Sequence, residues 1–243
     1  MNRRHSKRGL MSGLITPDAL VFDLDGTLWD AAVPTACGWN RALEHLGVDT
    51  RVTVEGIRSV AGTPFAGCVQ ILVPELGART RDVLGEIDAG QKQAMLESAG
   101  ELFPGVEGGL RALAKQYPLF LVSNCQDWYL ELFLDTSGLR ECFTGSDCNG
   151  CSGLPKDGML RHLSQEHELT RAVYVGDTAG DREASVAAGM EFAFAGYGFG
   201  SVSEPVLAFG SFDELREYYA GIGGAETEVT SVRGPATSGS IGG

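Results

Sequence analysis

Two aspartates one residue apart, Asp23 and Asp25, end the apolar run Ala19-Leu20-Val21-Phe22 in the stretch ALVFDLDGTLWD. A buried strand that closes on two carboxylates faces their mutual repulsion and their desolvation together. Residues i and i+2 of an extended chain point to the same side, so both carboxylates can face one site. Other polar residues follow later apolar runs in the same way. Ser123 and Asn124 close LFLVS, Asp177 and Asp181 lie in GDTAGD after AVYVG, and Lys156 opens a helical pattern just before that run. A divalent cation would offset the repulsion, with Asp177 as a third oxygen donor. Oxygen-only donors with few protein carboxylates suit Mg²⁺. The cation and Lys156 would then draw in a phosphate, and Ser123, Asn124 and N–H groups near helix starts would bind its oxygens. A carboxylate held against phosphorus can act as a nucleophile through an aspartyl-phosphate.

These residues need elements to carry them. Short apolar runs at 19–22, 119–123, 141–145, 172–176 and 191–195 read as strands buried on both faces, the pattern of a parallel sheet. Helical patterns lie between them at 106–116, 127–138, 156–167, 181–190 and from Ser211, whose spacing to Glu214 is that of a capping box. The alternation predicts an α/β fold with a doubly wound, Rossmann-like parallel sheet. In such sheets ligands sit at the carboxyl ends of the strands, where the polar residues fall. Residues 31–102 break the rhythm and read as helices only, one of them starting at Pro34 with Trp39, Leu43 and Leu46 on one stripe. The expected organisation is a basic, flexible leader (1–17), an α/β core (18–30 and 103–220), an inserted helical cap (31–102) and a disordered Gly/Ser/Thr-rich tail (221–243). Met11 is a second candidate start beside Met1.

The net charge of −13 over 243 residues argues against a nucleic-acid partner, which needs a basic footprint. No apolar run approaches the roughly 18 residues of a membrane span, and the basic N-terminus lacks a signal-peptide core, so a cytoplasmic location is expected. Six scattered cysteines are read as reduced thiols. The pair Cys148 and Cys151 in CNGC forms a lone CxxC. A zinc site would need Cys142, His162 or His167 as partners, and a Gly-rich loop that contains thiols is the simpler reading.

DLDGTL (23–28), a strand ending in VSN (122–124), Lys156 at the head of a helix and GDTAGD (176–181) resemble, in order, the four motifs of the haloacid dehalogenase superfamily. The helical insert resembles the cap of its phosphoglycolate-phosphatase-like branch. The resemblance covers residues 19–220 and implies a Mg²⁺-dependent phosphatase acting on a small phosphorylated metabolite, phosphoglycolate or a sugar phosphate. It implies Asp23 as nucleophile and metal ligand, Asp25 as general acid/base and metal ligand through its carbonyl, and Asp177 as the remaining ligand. Ser123 and Lys156 take the place of phosphate binders, Asp181 orients water or Lys156, and Thr27 orients the Asp25 region. Cap contacts to substrate are expected from Trp29, Arg58 and the loop AGTPF (61–65), Thr63 included.

Other readings compete. A phosphosugar mutase would use a cap histidine soon after the first motif, but the first one here, His45, falls late in a helix. A dehalogenase lacks the second aspartate. A catalytically idle scaffold would not need candidates at every motif. Taken singly, Asp-Gly is ordinary turn chemistry and GDTAGD a capped helix start.

Overall fold

The computed structural model describes residues 16–230 of the chain. The leader reading, apart from residues 16 and 17, and the end of the tail lie outside the described residues. Six strands form one parallel sheet: β1 (Leu20–Phe22), β4 (Leu119–Ser123), β5 (Gly145–Cys148), β6 (Val173–Gly176), β7 (Glu191–Ala195) and β8 (Ala208–Phe209). Their spatial order is β5-β4-β1-β6-β7-β8, with Leu20 level with Leu119 on one side and Val173 on the other. The chain runs outward from β1 through β4 to β5, then crosses back to β6. The reversal falls between β1 and β6, and a crevice at the carboxyl ends of such strands is where ligands bind.

Both faces of the sheet are buried, and alternation along each strand sorts the side chains. Leu20, Phe22, Leu119, Leu121, Val173 and Val175 pack in the cluster that holds Leu110, Phe212 and Leu215. Val21, Phe120, Val122 and Tyr174 pack with Met159, Leu160 and Leu163. The first layer comes from helices α5 (Val106–Leu113) and α10 (Phe212–Thr230), and the second from α8 (Lys156–Glu166), accompanied by α9 (Ala179–Ala188). Continuous apolar runs of this kind are what a two-sided parallel sheet requires.

Residues 31–102 contain helices α1 (Ala32–His45), α2 (Val54–Ser59), α3 (Phe65–Leu72) and α4 (Thr80–Glu97), with a 3₁₀ segment at Pro74–Arg79. They bury a cluster of their own, which includes Trp39, Leu43, Val69, Val73 and Ile87. A two-stranded antiparallel ribbon, β2 (Trp29–Asp30) with β3 (Glu101–Leu102), joins this segment to the sheet. Such short strands carry no periodic signal in the sequence.

Four expectations need correction. α1 starts at Ala32 rather than Pro34, because the Asp30 carboxylate accepts the Ala32 N–H at 3.0 Å. The run at 141–145 is not a strand: Arg140–Cys142 is a 3₁₀ turn and β5 begins at Gly145, whose residues pair with β4 from Phe120 onward. The stretch read as a tail from residue 221 continues α10 to Thr230, and Ile222 is buried in the sheet's main core. CNGC is a helical turn, α7 (Asn149–Ser152), rather than an open loop.

α1 and α4 approach so closely that a Cβ on Gly38 would lie 2.4 Å from the Gly90 carbonyl oxygen. Gly38→Ala is therefore expected to push the two helices apart at a cost of about 1–3 kcal/mol, read as a lower urea midpoint with an unchanged slope.

Candidate active site

The site lies at the carboxyl ends of β1, β4 and β6. Asp23 follows β1, Asp177 follows β6, and Lys156 reaches in from the first turn of α8; all three are buried. The Lys156 ammonium donates to Asp23 Oδ1 at 2.8 Å and to Asp181 Oδ1 at 2.6 Å, 5.7 Å above the Tyr174 ring. Asp181 Oδ2 accepts the N–H and the hydroxyl of Thr178, whose oxygen in turn accepts the Asp181 N–H, a reciprocal cap on α9. Asp177 Oδ2 accepts the N–H groups of Phe199 and Gly200 at 2.8 and 3.1 Å. Asp23 Oδ2 and Asp177 Oδ1 are buried with no hydrogen-bond partner. Among the described residues, Asp23, Asp177 and Asp181 are the one group that brings three metal-ligating atoms within 4.8 Å of one another. The zinc set around CNGC does not converge in this way.

Close backbone contact makes this possible. Gly26 adopts φ +82°, and a Cβ there would sit 2.3 Å from Asp177 Oδ2; the DLDG turn therefore lies flat on the third carboxylate. Burial pushes Asp23 up to about 7, with the Asp181 and Asp177 charges adding to the rise and the Lys156 ammonium opposing it. Burial also lifts Asp177 to about 6, and the Asp181 charge adds to this. Burial works against the charge on Lys156, yet Asp181 and Asp23 hold its pKa well above the ordinary value. The site is short of positive charge, and its two unpaired oxygens fit a hard divalent cation.

Asp25 is placed differently. Its carboxylate is not part of the cluster of ligating oxygens, and its Oδ1 accepts the Tyr129 hydroxyl. Burial raises its pKa to about 7, which suits a group that must give up and recover a proton near neutrality. Ser123, at the end of β4, accepts the Cys125 N–H at 3.3 Å and keeps its own hydrogen. Asn124 donates to the Gly62 carbonyl at 2.7 Å, so one hydrogen of the amide expected to bind phosphate instead holds the loop 61–65. The Thr27 hydroxyl is buried without a partner; its carbonyl accepts the Tyr197 hydroxyl at 3.0 Å. Thr27 therefore steadies the turn through its backbone.

A cleft opens above these groups. Asp23, Asp25, Ser123 and Asn124 form its floor, Trp39, Ile57, Val60, Thr63 and Phe65 face them, and Gln91, Gln126 and Tyr129 close one side. Thr63 is where the sequence places it. Arg58 is not among the lining residues: it pairs with Asp30 Oδ2 at 2.7 Å and lies 5.6 Å over the Phe199 ring. Trp29 is core, its ring centroid 5.3 Å from those of Tyr129 and Phe133. His45 is exposed, 3.6 Å from Glu86 and outside the cleft.

Residues 20–195 match the profile of haloacid dehalogenase-like hydrolases. The chain belongs to this family. A phosphoglycolate phosphatase of Chromobacterium violaceum is 32% identical over 198 residues, which span 76% of this chain and 87% of that one. Another, plasmid-borne in Cupriavidus necator, is 31% identical over 207 residues, 77% and 84% of the two chains. A haloacid dehalogenase-like family hydrolase of Streptococcus pneumoniae shares the fold at a TM-score of 0.70 and 21% identity, covering 84% of this chain and 98% of that one. So does Protein Tyrosine Kinase A of Mycobacterium tuberculosis, at 0.70 and 24%, over 84% and 98%; at such distances the fold alone is shared. This haloacid dehalogenase-like hydrolase is a phosphoric monoester hydrolase.

Sequence reasoning missed Tyr129, Tyr174 and Gln126 as parts of the hydrolase site. Tyr129 carried a usable signal. It shares a buried helical face with Leu130, Phe133 and Leu134 in α6 (Asp127–Ser137), and a buried phenol needs a hydrogen-bond partner. Lys156→Met is expected to cost about 3–5 kcal/mol at pH 7 in EDTA, because it strands buried carboxylates. Without the ammonium, the folded-state pKa of Asp23 rises further above its unfolded value. Folding then takes up protons, and the deficit should shrink as pH falls toward the unfolded carboxylate range near 4. Urea titrations at pH 4.5 and pH 7.5 measure it; a deficit that is equal at both would contradict the charge account.

Proposed function

We propose that this hydrolase is a Mg²⁺-dependent phosphatase in which Asp23 is the nucleophile. The observation that carries the reading is the pair of buried, unpartnered oxygens, Asp23 Oδ2 and Asp177 Oδ1, beside a lysine that already holds the other oxygen of Asp23. Mg²⁺ bound by Asp23, Asp177 and the Asp25 carbonyl would offset their repulsion and draw charge from the phosphate oxygens. Lys156 fixes the Asp23 carboxylate for attack on phosphorus, and Asp181 keeps Lys156 in place. The Ser123 hydroxyl donates to a phosphate oxygen. Tyr129 holds Asp25 Oδ1, which leaves Oδ2 to carry the proton. As the P–O ester bond breaks, that proton passes to the leaving oxygen. Asp25 then takes a proton from water, which attacks the phosphorus of the aspartyl-phosphate, and Asp23 is released with inorganic phosphate.

The helical segment 31–102 acts as the cap, in contact with the core where Gly62 meets Asn124 and comes beside Thr178. Gly62 adopts φ +79° there. Closure over the cleft would exclude water. Arg58 serves this arrangement as a clasp to Asp30 rather than as a substrate contact, and specificity rests with Thr63 and its neighbours in the cleft. An exposed His45 outside the cleft lends no support to the mutase reading.

The lining also bears on the substrate. Among the described residues, no Lys, Arg or His lines the cleft; Trp39, Ile57, Val60, Phe65 and Tyr129 do, with Thr35, Thr63, Gln91 and Gln126 as the polar groups. A carboxylate beside the ester, as in phosphoglycolate, would find no basic side chain among these lining residues and would share the cleft with Asp25. The lining favours a phosphate ester whose alcohol part is uncharged. With Mg²⁺, kcat/KM for glycerol phosphate or phenyl phosphate is expected to exceed that for 2-phosphoglycolate by about tenfold, the worth of roughly 1.4 kcal/mol of differential binding. A preference of that size for 2-phosphoglycolate would reverse the assignment.

The two opening aspartates should fail differently. EDTA should abolish turnover and Mg²⁺ restore it. Asp23→Asn should form no phosphoenzyme, whereas Asp25→Asn should be slowed about 10²–10⁴-fold and accumulate phosphate on Asp23. Mass spectrometry after a rapid acid quench reads the adduct. An adduct on Asp25, or full activity of Asp23→Asn, would overturn these roles.

A further inference from the structure

The CNGC pair plays no part in hydrolysis, yet it lies against the phosphate-binding loop. Cys148 ends β5 directly beside Ser123, its partner in the parallel register with β4. Its side chain is fully buried, while Cys151, one helical turn on, is exposed. The two sulfurs are 2.8 Å apart as free thiols. Cys125 is also buried, interacts electrostatically with Cys148, and lines the substrate cleft.

We propose that Cys148 and Cys151 are a redox-active dithiol that reacts with small-molecule disulfides, and that its oxidation slows hydrolysis. Cys151, the exposed thiol, whose pKa burial and the adjoining Cys148 sulfur push up to about 12, attacks a disulfide R–S–S–R as its proton passes to the Cys148 sulfur 2.8 Å away, forming Cys151–S–S–R and releasing RS⁻. Cys148 then attacks the Cys151 sulfur, forming the Cys148–Cys151 disulfide and releasing the second RS⁻. The protons lost by the two cysteines go to the two released thiolates. The external disulfide is reduced by two electrons and the protein dithiol is oxidised by two. A resolving sulfur at 2.8 Å is already within reach of this step.

The link to hydrolysis is mechanical. Gly150, inside the CxxC turn, donates its N–H to the Cys125 carbonyl at 3.0 Å. A Cβ on Gly150 would come within 2.5 Å of the Asp127 nitrogen and 2.7 Å of the Gln126 Cα. The turn therefore lies flush on residues 125–127, which join the phosphate-binding Ser123 to α6 and its Tyr129. A covalent S–S bond is about 2.05 Å long, so forming one draws the turn inward. The loop that holds phosphate then moves with it.

The test uses the full chain in glutathione redox buffers. Peptide mapping by mass spectrometry should find a loss of two hydrogens shared by Cys148 and Cys151. Mg²⁺-dependent hydrolysis of p-nitrophenyl phosphate should fall at least threefold along the same titration and recover fully with dithiothreitol. Cys151→Ser changes an exposed residue outside the catalytic groups. It should keep the reduced protein's activity and lose both the mass change and the response. No disulfide between these two residues at any glutathione ratio, a disulfide that leaves kcat/KM unchanged, or an undiminished response in Cys151→Ser would each overturn the proposal.

Discussion

The buried ammonium of Lys156, held between Asp23 and Asp181, is the interaction on which the rest of the site depends. Three carboxylates converge at the switch point of the sheet, where like charges oppose one another. A buried charge stripped of its partner costs several kcal/mol. The lysine is a permanent counter-charge, present before any metal or substrate arrives. Its position follows from three separate elements: the first turn of α8, the end of β1 and the first turn of α9. Asp181 is tied down further by Thr178, so the cap of α9 and the anchoring of Lys156 are one arrangement.

That arrangement leaves a specific deficit. One oxygen each of Asp23 and Asp177 remains unpaired in a dry environment, and their pKa values rise to about 7 and about 6 as a result. A bound cation would reverse both shifts. Asp25 is set apart by a residue from another helix: Tyr129 donates to its carboxylate, which is not part of the cluster. Two aspartates of the same strand end thus receive different environments, although the alternation of the chain gives them the same direction at the start.

The segment 31–102 is bound to the core by polar contacts, among them those of Asp88, which accepts from Gln126 and Trp128 at 2.8 and 2.9 Å. Asp30 caps α1 and pairs with Arg58 at the ribbon, and Asn124 holds the Gly62 carbonyl beside the phosphate site. Contacts of this kind are partly exposed and individually weak, whereas the segment has an apolar cluster of its own. The combination suits a segment that holds its own core while its attachment rests on individually weak contacts.

Much of the fold and most of the core motifs were legible in the sequence. Apolar runs that end on polar residues are a local signal, and a two-sided parallel sheet must bury them, so the strand ends at which Asp23, Ser123 and Asp177 stand could be placed in advance. The boundaries were less legible. The strand misplaced to 141–145, the two-residue ribbon strands and the extension of α10 past residue 221 depend on pairing and packing partners far along the chain. The same holds for the side chains. Whether Asn124 meets phosphate or the Gly62 carbonyl, whether Arg58 reaches substrate or Asp30, and whether Cys148 meets Cys151 are questions of distance across separate elements. A one-dimensional pattern records which residues face inward, through periodicity. Which partner each one finds there is decided by the tertiary fold, because hydrogen bonds and ion pairs act over a few ångströms and only packing sets those distances.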